Sequence, residues 1–278
     1  MKFGAHVSTG TPFSDAVKRA KDIGCETMQI FANLPQRWNP LPIPEKELVK
    51  FVTENKKAKI EPVIIHSIYL INLASSNPFF YEASIKSIID DMYKAEKLGA
   101  LGVNFHVGST KGKKFSEVIG KIALAIKTIL SAAPGPELIL ENSAGAGNII
   151  GDKFEELAAI IDEVKSPRVK VTFDTAHGFV SGYNVATEKG LEETLKEFDK
   201  KIGLKKLICL HLNDCATPLF SARDRHADIG DGYIGIEGFR RIVNHPKLHG
   251  LPGIIETPGS KGKSDVDNLK ILRSLVKK

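Results

Sequence analysis

The feature that most restricts this chain is a rhythm. Eight short apolar runs rich in β-branched residues, KFGAHV, CETMQIF, IEPVIIH, LGVNFH, PELILE, RVKVTFD, LKKLICLH and LPGIIE, recur from one end of the sequence to the other. Their spacing of about 25 to 45 residues is what a strand plus a crossover helix requires. The segments between them carry apolar residues at helical spacing, over Phe13 to Ile23, Ser84 to Leu98, Phe115 to Ala132, Phe154 to Val164, Gly190 to Ile202 and Ile236 to His245. Eight strands alternating with helices predict an α/β fold. The architecture expected is a (β/α)8 TIM barrel, a single domain over residues 1–278, in preference to an open doubly wound sheet. A chain of 278 residues that is 42% apolar has core enough for one such barrel.

Helix ends carry matching signals. Ser14 is placed to cap the first helix, Pro44 to Glu47 to open the second, and Gly24, Gly99 and Gly203 to end helices in a left-handed residue. The loops after the second, third, sixth and seventh runs are the long ones. In a parallel barrel they share the rim where chemistry resides.

Six successive runs finish in a side chain that binds metals: His66, His106, Glu141, Asp174, His211 and Glu256. Any one of them has a plain structural explanation, as a hydrogen-bonded rim residue or a helix cap. Six in series, converging on one rim, do not all serve as caps. Two short motifs add to them. In DTAH, Asp174 and His177 stand three apart across a strand-to-loop turn, and in DRH the alternation of an extended segment points Asp224 and His226 the same way. Five histidines and four carboxylates are too many for one tetrahedral zinc. Three divalent ions would exceed the four carboxylate charges by two, a surplus suited to an anionic substrate. Imidazole and carboxylate donors without thiolate fit Zn²⁺, with Mn²⁺ an alternative at one position.

The remaining composition sets limits. Cys25, Cys209 and Cys215 are widely spaced with no CxxC pair, which argues against a disulfide framework or a thiolate zinc site and for a reducing, intracellular location. No apolar run approaches a membrane span, and the start MKFGAHVSTG enters a strand pattern directly, so a soluble cytoplasmic protein with no membrane partner is expected. The net charge of +6 is compatible with a polyanionic partner without selecting one.

The motifs GAHVS, HSIYLINLAS, FHVGS, LILENSAG, FDTAH, HLNDC, DRHADIGDGYIG and IIETPG, in this order, cover essentially the whole chain. Together they resemble the endonuclease IV family of apurinic/apyrimidinic endonucleases. The resemblance implies three Zn²⁺ per chain, one held by His66, His106 and Glu141, a second by Glu141, Asp174, His211 and Glu256, and a third by His177, Asp224 and His226. It implies hydrolysis of the DNA backbone on the 5′ side of an abasic site, giving 3′-hydroxyl and 5′-deoxyribose phosphate ends, together with trimming of blocked 3′ ends. Glu141 would be the catalytic residue that orients the nucleophile or takes its proton. The partner implied is double-stranded DNA, bound by a monomer. The chain departs from the family pattern at Ala176, where cysteine is commoner, and at Val107 and Thr110, where proline and histidine are familiar; none of the three is a presumed ligand.

An enzyme that opens DNA at a lost base needs wedge and stacking side chains on rim loops. Tyr69 and Leu70, just after His66, match the family's inserted residues, and Gln36 and Arg37, beside Trp38, are placed to serve from the second loop. Loop packing for the first pair and ordinary surface charge for Arg37 are the plain alternatives. The lysines of TKGKK (110 to 114) and SKGK (Lys261 and Lys263) are candidates for phosphate contact, SAGAGNIIG for a tight loop of amides facing a phosphate, and His6 for a place bordering the site. His245 and His249 look like surface residues. The alternative function is a metal-dependent sugar isomerase or epimerase on the same barrel. Such enzymes need one or two ions, and DTAH together with DRH would then be superfluous.

Overall fold

Strand runs whose alternate residues are buried on both faces can only pack inside a layer of helices, and a sheet with no free edge must close. The structure, a computed structural model, describes residues 1–277. Its first half runs β1 (Lys2–Val7), α1 (Asp15–Asp22), β2 (Thr27–Phe31), α2 (Glu45–Ala58), β3 (Val63–His66), α3 (Pro78–Leu98), β4 (Gly102–Phe105), α4 (Phe115–Ala132) and β5 (Glu137–Glu141). The second half runs α5 (Phe154–Val164), β6 (Val169–Asp174), α6 (Thr175–Val180), α7 (Glu188–Lys201), β7 (Leu207–His211), β8 (Asp214–Cys215), β9 (His226–Ala227), α8 (Gly235–Asn244), β10 (Pro252–Ile255) and α9 (Asp265–Leu275). The parallel strands close in the order β1-β10-β7-β6-β5-β4-β3-β2, while β8 and β9 form a separate antiparallel pair on the loop after β7.

The period of two along each strand places the site. Ile64, Ile139, Cys209 and Ile254 form a small cluster apart from the main core. Each lies two residues before His66, Glu141, His211 or Glu256, so this apolar layer sits directly beneath those four side chains. The residues between them, such as Ile65 and Leu140, join the main core under the helices.

Four local differences from the sequence expectation have physical causes. Helix α3 starts at Pro78, not Ser84: Asn77 caps it by accepting from the Phe79 amide. Its first turn carries exposed Phe79 and Phe80, which break the amphipathic pattern. Ser14 stands at the start of α1 but its hydroxyl donates to Glu47 at 2.7 Å, tying α1 to α2 instead of capping. The turn after Asp174 is a helix, α6, whose six residues are all buried and so show no polar face in sequence. The β8–β9 hairpin was likewise hidden, its strands being two residues each. Gly24, Gly99 and Gly203 do adopt positive φ at helix ends.

Candidate metal centre

Nine side chains, six at the ends of barrel strands, His177 on α6, and Asp224 and His226 on the β8–β9 hairpin, converge at the carboxyl end of the barrel. Three groups have ligand atoms all within 4.8 Å of one another: His66, His106 and Glu141; Glu141, Asp174, His211 and Glu256; and Asp174, His177 and His226. Asp224, expected in the last group, reaches it from the rim, half-exposed, with its oxygens 3.4 Å from both His177 Nε2 and His226 Nε2. Two carboxylates join the groups. Glu141 directs Oε2 to His66 (3.3 Å) and Oε1 to His211 (3.1 Å) and His106 (3.7 Å). Asp174 lies 3.8 Å from His211 and 3.9 Å from His226.

The outer partners decide which nitrogen each histidine offers. Nδ1 of His66 donates to the Ser67 carbonyl (2.7 Å), Nδ1 of His177 to the Asn142 carbonyl (3.0 Å) and Nδ1 of His226 to the Glu256 carbonyl (3.2 Å). Each leaves Nε2 as the free donor atom facing the cavity. Nε2 of His226 is buried and makes no hydrogen bond among the described residues. An orphaned imidazole nitrogen among carboxylates is what a cation site requires, and the donor set of imidazoles and carboxylates fits a borderline ion such as zinc. Asn104 donates to Glu141, and Asn213 donates to Asp174 at 2.6 Å while its carbonyl accepts from the Glu256 amide at 2.7 Å.

The charges are held against burial. For His66, desolvation opposes protonation, but the adjacent Glu141 carboxylate outweighs it and the pKa is raised. Desolvation is likewise outweighed at His211, where Glu141 and Glu256 push the pKa up to about 9, and at His177, where Asp174, Asp224 and Glu141 raise it well above the usual value. At His106 burial wins and the pKa falls. Glu141 and Glu256 resist the upward push of burial because histidines surround them, and both lie below the usual carboxylate range. Without a metal the cluster therefore draws protons in to balance its carboxylates; a divalent ion would replace them.

Above this floor opens a cavity of about 520 Å³, lined by His6, Phe31, His66, Tyr69, His106, His177, Asp224, His226 and Glu256 among others. Residues 17–275 match the family described as xylose isomerase-like TIM barrel. A probable endonuclease 4 from Halothermothrix orenii is 40% identical over 276 residues, 98% of this chain and 99% of that protein. The chain belongs to the endonuclease IV family. The solved structure of endonuclease IV from Thermus thermophilus agrees, with a TM-score of 0.88 and 33% identity over 99% of this chain and 98% of that one. A D-tagatose 3-epimerase-like protein shares 99% of this chain and 97% of its own at a TM-score of 0.76, but at 21% identity that likeness shows the fold alone.

In this member of the family the rim residues fare unequally. Tyr69 enters the cavity wall, 62% exposed, with its ring 5.3 Å from Phe31 and 6.1 Å from His66; Leu70 beside it is 36% exposed. Gln36 and Arg37 are exposed on the loop 32–44, outside the cavity lining, and Trp38 stacks on Phe80. The Tyr69 amide donates to the Pro35 carbonyl at 2.9 Å, so the two loops are tied together. Beneath them Asn33 is buried, donating to Asp90 and Asp91 at 2.8 Å each and accepting from Lys94 (2.6 Å) and the Leu41 amide (2.9 Å). Ser67 donates to the same Asp91 at 2.7 Å.

Three expectations change. Lys263 is paired with Asp231 at 2.7 Å, so it is not a free phosphate contact, and the Lys261 side chain lies outside the described residues. The amides of SAGAGNIIG are partly spoken for: Ile150 donates to the Gly108 carbonyl, pinning this loop to the one after β4, and Ser143 donates to the Gly151 carbonyl within the loop itself. His245 is buried and bonds Glu192 at 2.9 Å, whereas His249 is exposed. Lys111, Lys113 and Lys114 are exposed.

Sequence reasoning passed over Gln29, Asn104, Asn142 and Asn213, and undervalued His6, which bonds Glu256 at 2.9 Å. One signal was available. Gln29 in TMQIF and Asn104 in GVNF are amides inside apolar strands, and a buried amide must find partners.

Proposed function

We propose that this member of the endonuclease IV family is a zinc-dependent repair enzyme that hydrolyses the phosphodiester 5′ to an abasic site in duplex DNA, leaving 3′-hydroxyl and 5′-deoxyribose phosphate ends, and that it also trims blocked 3′ ends. The observation that carries the reading is the linkage of three donor groups through Glu141 and Asp174, which is more than a one- or two-ion sugar enzyme needs. His66, His106 and Glu141 would hold one zinc; Glu141, Asp174, His211 and Glu256 a second; His177, Asp224 and His226 a third, with Asp174 close enough to assist. Manganese is an alternative at the oxygen-rich second position. Zinc bound by these residues would supply Lewis acidity and a nucleophile at neutral pH.

The chain's own residues do the rest. Glu141, fixed by Asn104, would orient the attacking water or take its proton. Tyr69, in the cavity wall, and the adjacent Leu70 would fill the gap left when the damaged nucleotide turns out of the stack, and Gln36 and Arg37 would meet the duplex from the tied loop beside them. Each chain carries a whole donor set, which supports action as a monomer. The three cysteines are free and buried, in keeping with a reducing cytoplasmic setting. No helix among the described residues is long and apolar enough to cross a membrane.

The test pairs metal analysis with a nicking assay. Purified protein is expected to contain three zinc per chain and to nick a duplex bearing a tetrahydrofuran abasic analogue. Metal-replete protein that leaves this duplex intact and epimerises a free ketose would overturn the proposal.

A further inference from the structure

Gln29 is wholly buried on β2, in register beside His6 of β1 and Ile64 of β3, and belongs to none of the three donor groups. Its Nε2 lies 2.7 Å from Glu256 Oε1, and its Oε1 lies 3.0 Å from His211 Nε2. These partners allow one arrangement. A carboxylate only accepts, so the end facing Glu256 is the NH₂ group. The other end is then the carbonyl oxygen, and His211 Nε2 must carry the proton that it accepts. In neutral His211 the lone pair therefore sits on Nδ1, the nitrogen 3.1 Å from Glu141, 3.4 Å from Glu256 Oε2 and 3.8 Å from Asp174.

The same logic divides the oxygens of Glu256. Oε1 receives the Gln29 amide and, at 2.9 Å, His6 Nδ1, which must be protonated to face a carboxylate at that distance. The 3.1 Å approach of Gln29 Nε2 to His6 Nδ1 follows from two donors converging on one oxygen. Oε2 is left facing His211.

We propose that Gln29 is a positioning residue for the second metal group, committing His211 to coordinate through Nδ1 and Glu256 through Oε2 with a single side-chain amide. This deepens the zinc reading above and rests on it. His66, His177 and His226 have the opposite arrangement, each with Nδ1 held by a backbone carbonyl. A backbone carbonyl comes with the fold. His211 depends on a side chain, so substitution can remove its orientation without moving a strand.

Gln29→Met keeps the length and removes both hydrogen bonds. Gln29→Glu keeps the acceptor for His211 and removes the donor to Glu256. In ¹⁵N-labelled protein titrated with zinc, long-range ¹⁵N–¹H correlations report which nitrogen of each histidine is protonated and which is metal-bound. Wild-type His211 is expected as Nε2–H with a zinc-shifted Nδ1. Gln29→Met is expected to lose this single tautomer and to weaken zinc at one site by about 10- to 100-fold in a chelator competition, the other two sites being unchanged. Gln29→Glu is expected to keep the tautomer while weakening the same site. Should either folded variant bind all three zinc ions as tightly as wild type, with His211 unchanged, the positioning role is overturned. A wild-type His211 with no response to zinc would instead overturn the zinc assignment beneath it, an outcome visible before any variant is made.

Discussion

At the floor of the cavity Glu141, Asp174 and His211 are fully buried, and a side-chain amide holds each one in place: Asn104 on β4, Asn213 on the loop after β7, and Gln29 across the barrel on β2. On the rim, Tyr69 is 62% exposed and the Gln36 and Arg37 side chains make no hydrogen bond among the described residues. Precision at the floor comes from parallel strands whose register cannot slip without reversing every side chain. The rim is held chiefly from below, by Asn33 and the Tyr69 to Pro35 bond, so its side chains stay free for a partner. On the proposed function, chemistry and recognition would occupy parts of the molecule with different tolerance for change, and substitutions in the two should fail differently.

The largest effect is expected at the floor. Glu256→Gln should lower turnover of an abasic duplex on the order of 10³-fold while binding of that duplex, followed by fluorescence anisotropy, stays at the wild-type level. Turnover within about tenfold of wild type would remove Glu256 from the chemistry.

Acidity should act on the floor alone. Metal-free His66, His177 and His211 have raised pKa values, to about 9 for His211, and zinc binds imidazole only after the proton leaves. Zinc affinity should therefore rise with pH between about 6 and about 9, by up to about tenfold per unit for each proton displaced. Calorimetry near neutral pH in buffers of different ionisation enthalpy should register proton release. A flat affinity over this window would mean that these histidines are not the ligands.

The rim should respond in recognition. Tyr69→Ala combined with Leu70→Ala is expected to reduce kcat/KM by roughly 10- to 100-fold with zinc content unchanged. Loss of zinc in that variant would mean that the rim supports the floor instead of the substrate.

Asn33→Ala tests the joint between the two regions. Removing its buried hydrogen bonds should loosen the loop 32–44 and raise KM by about three- to tenfold with little change in kcat. An equal fall in kcat would show that Ser67, which shares Asp91 with Asn33, transmits the disturbance to His66. The smallest effect belongs to the exposed lysines. Replacing Lys113 and Lys114 with Gln should reduce the salt dependence of DNA binding by about one in slope for each phosphate that is no longer neutralised. An unchanged slope would assign both lysines to solvent.

The barrel was legible because its signal is repeated. Eight runs at crossover spacing leave little choice of fold, and the closed eight-stranded barrel is what forms. Helices α4 and α5 match the sequence expectation at both ends, since their apolar stripes are uninterrupted. Short elements without a polar face, α6 and the β8–β9 pair, gave no period to detect. For the site, the identity of the clustered residues was legible, because six strand ends share one rim. The fate of the lysines was not: the partner of Lys263, Asp231, is 32 residues away and neither residue marks the other.

The sequence by itself determined which side chains stand at the carboxyl ends of the strands, since period and spacing are local properties of the chain. Only the tertiary structure decided what each of them faces: that Asp174 lies between two donor groups, that Tyr69 rather than Arg37 lines the cavity, and that Gln29 stands between His211 and Glu256. The physical reason is that a hydrogen bond or a ligand distance depends on the closure of the whole barrel. Gln29 and His211 are 182 residues apart in the chain and 3.0 Å apart in space.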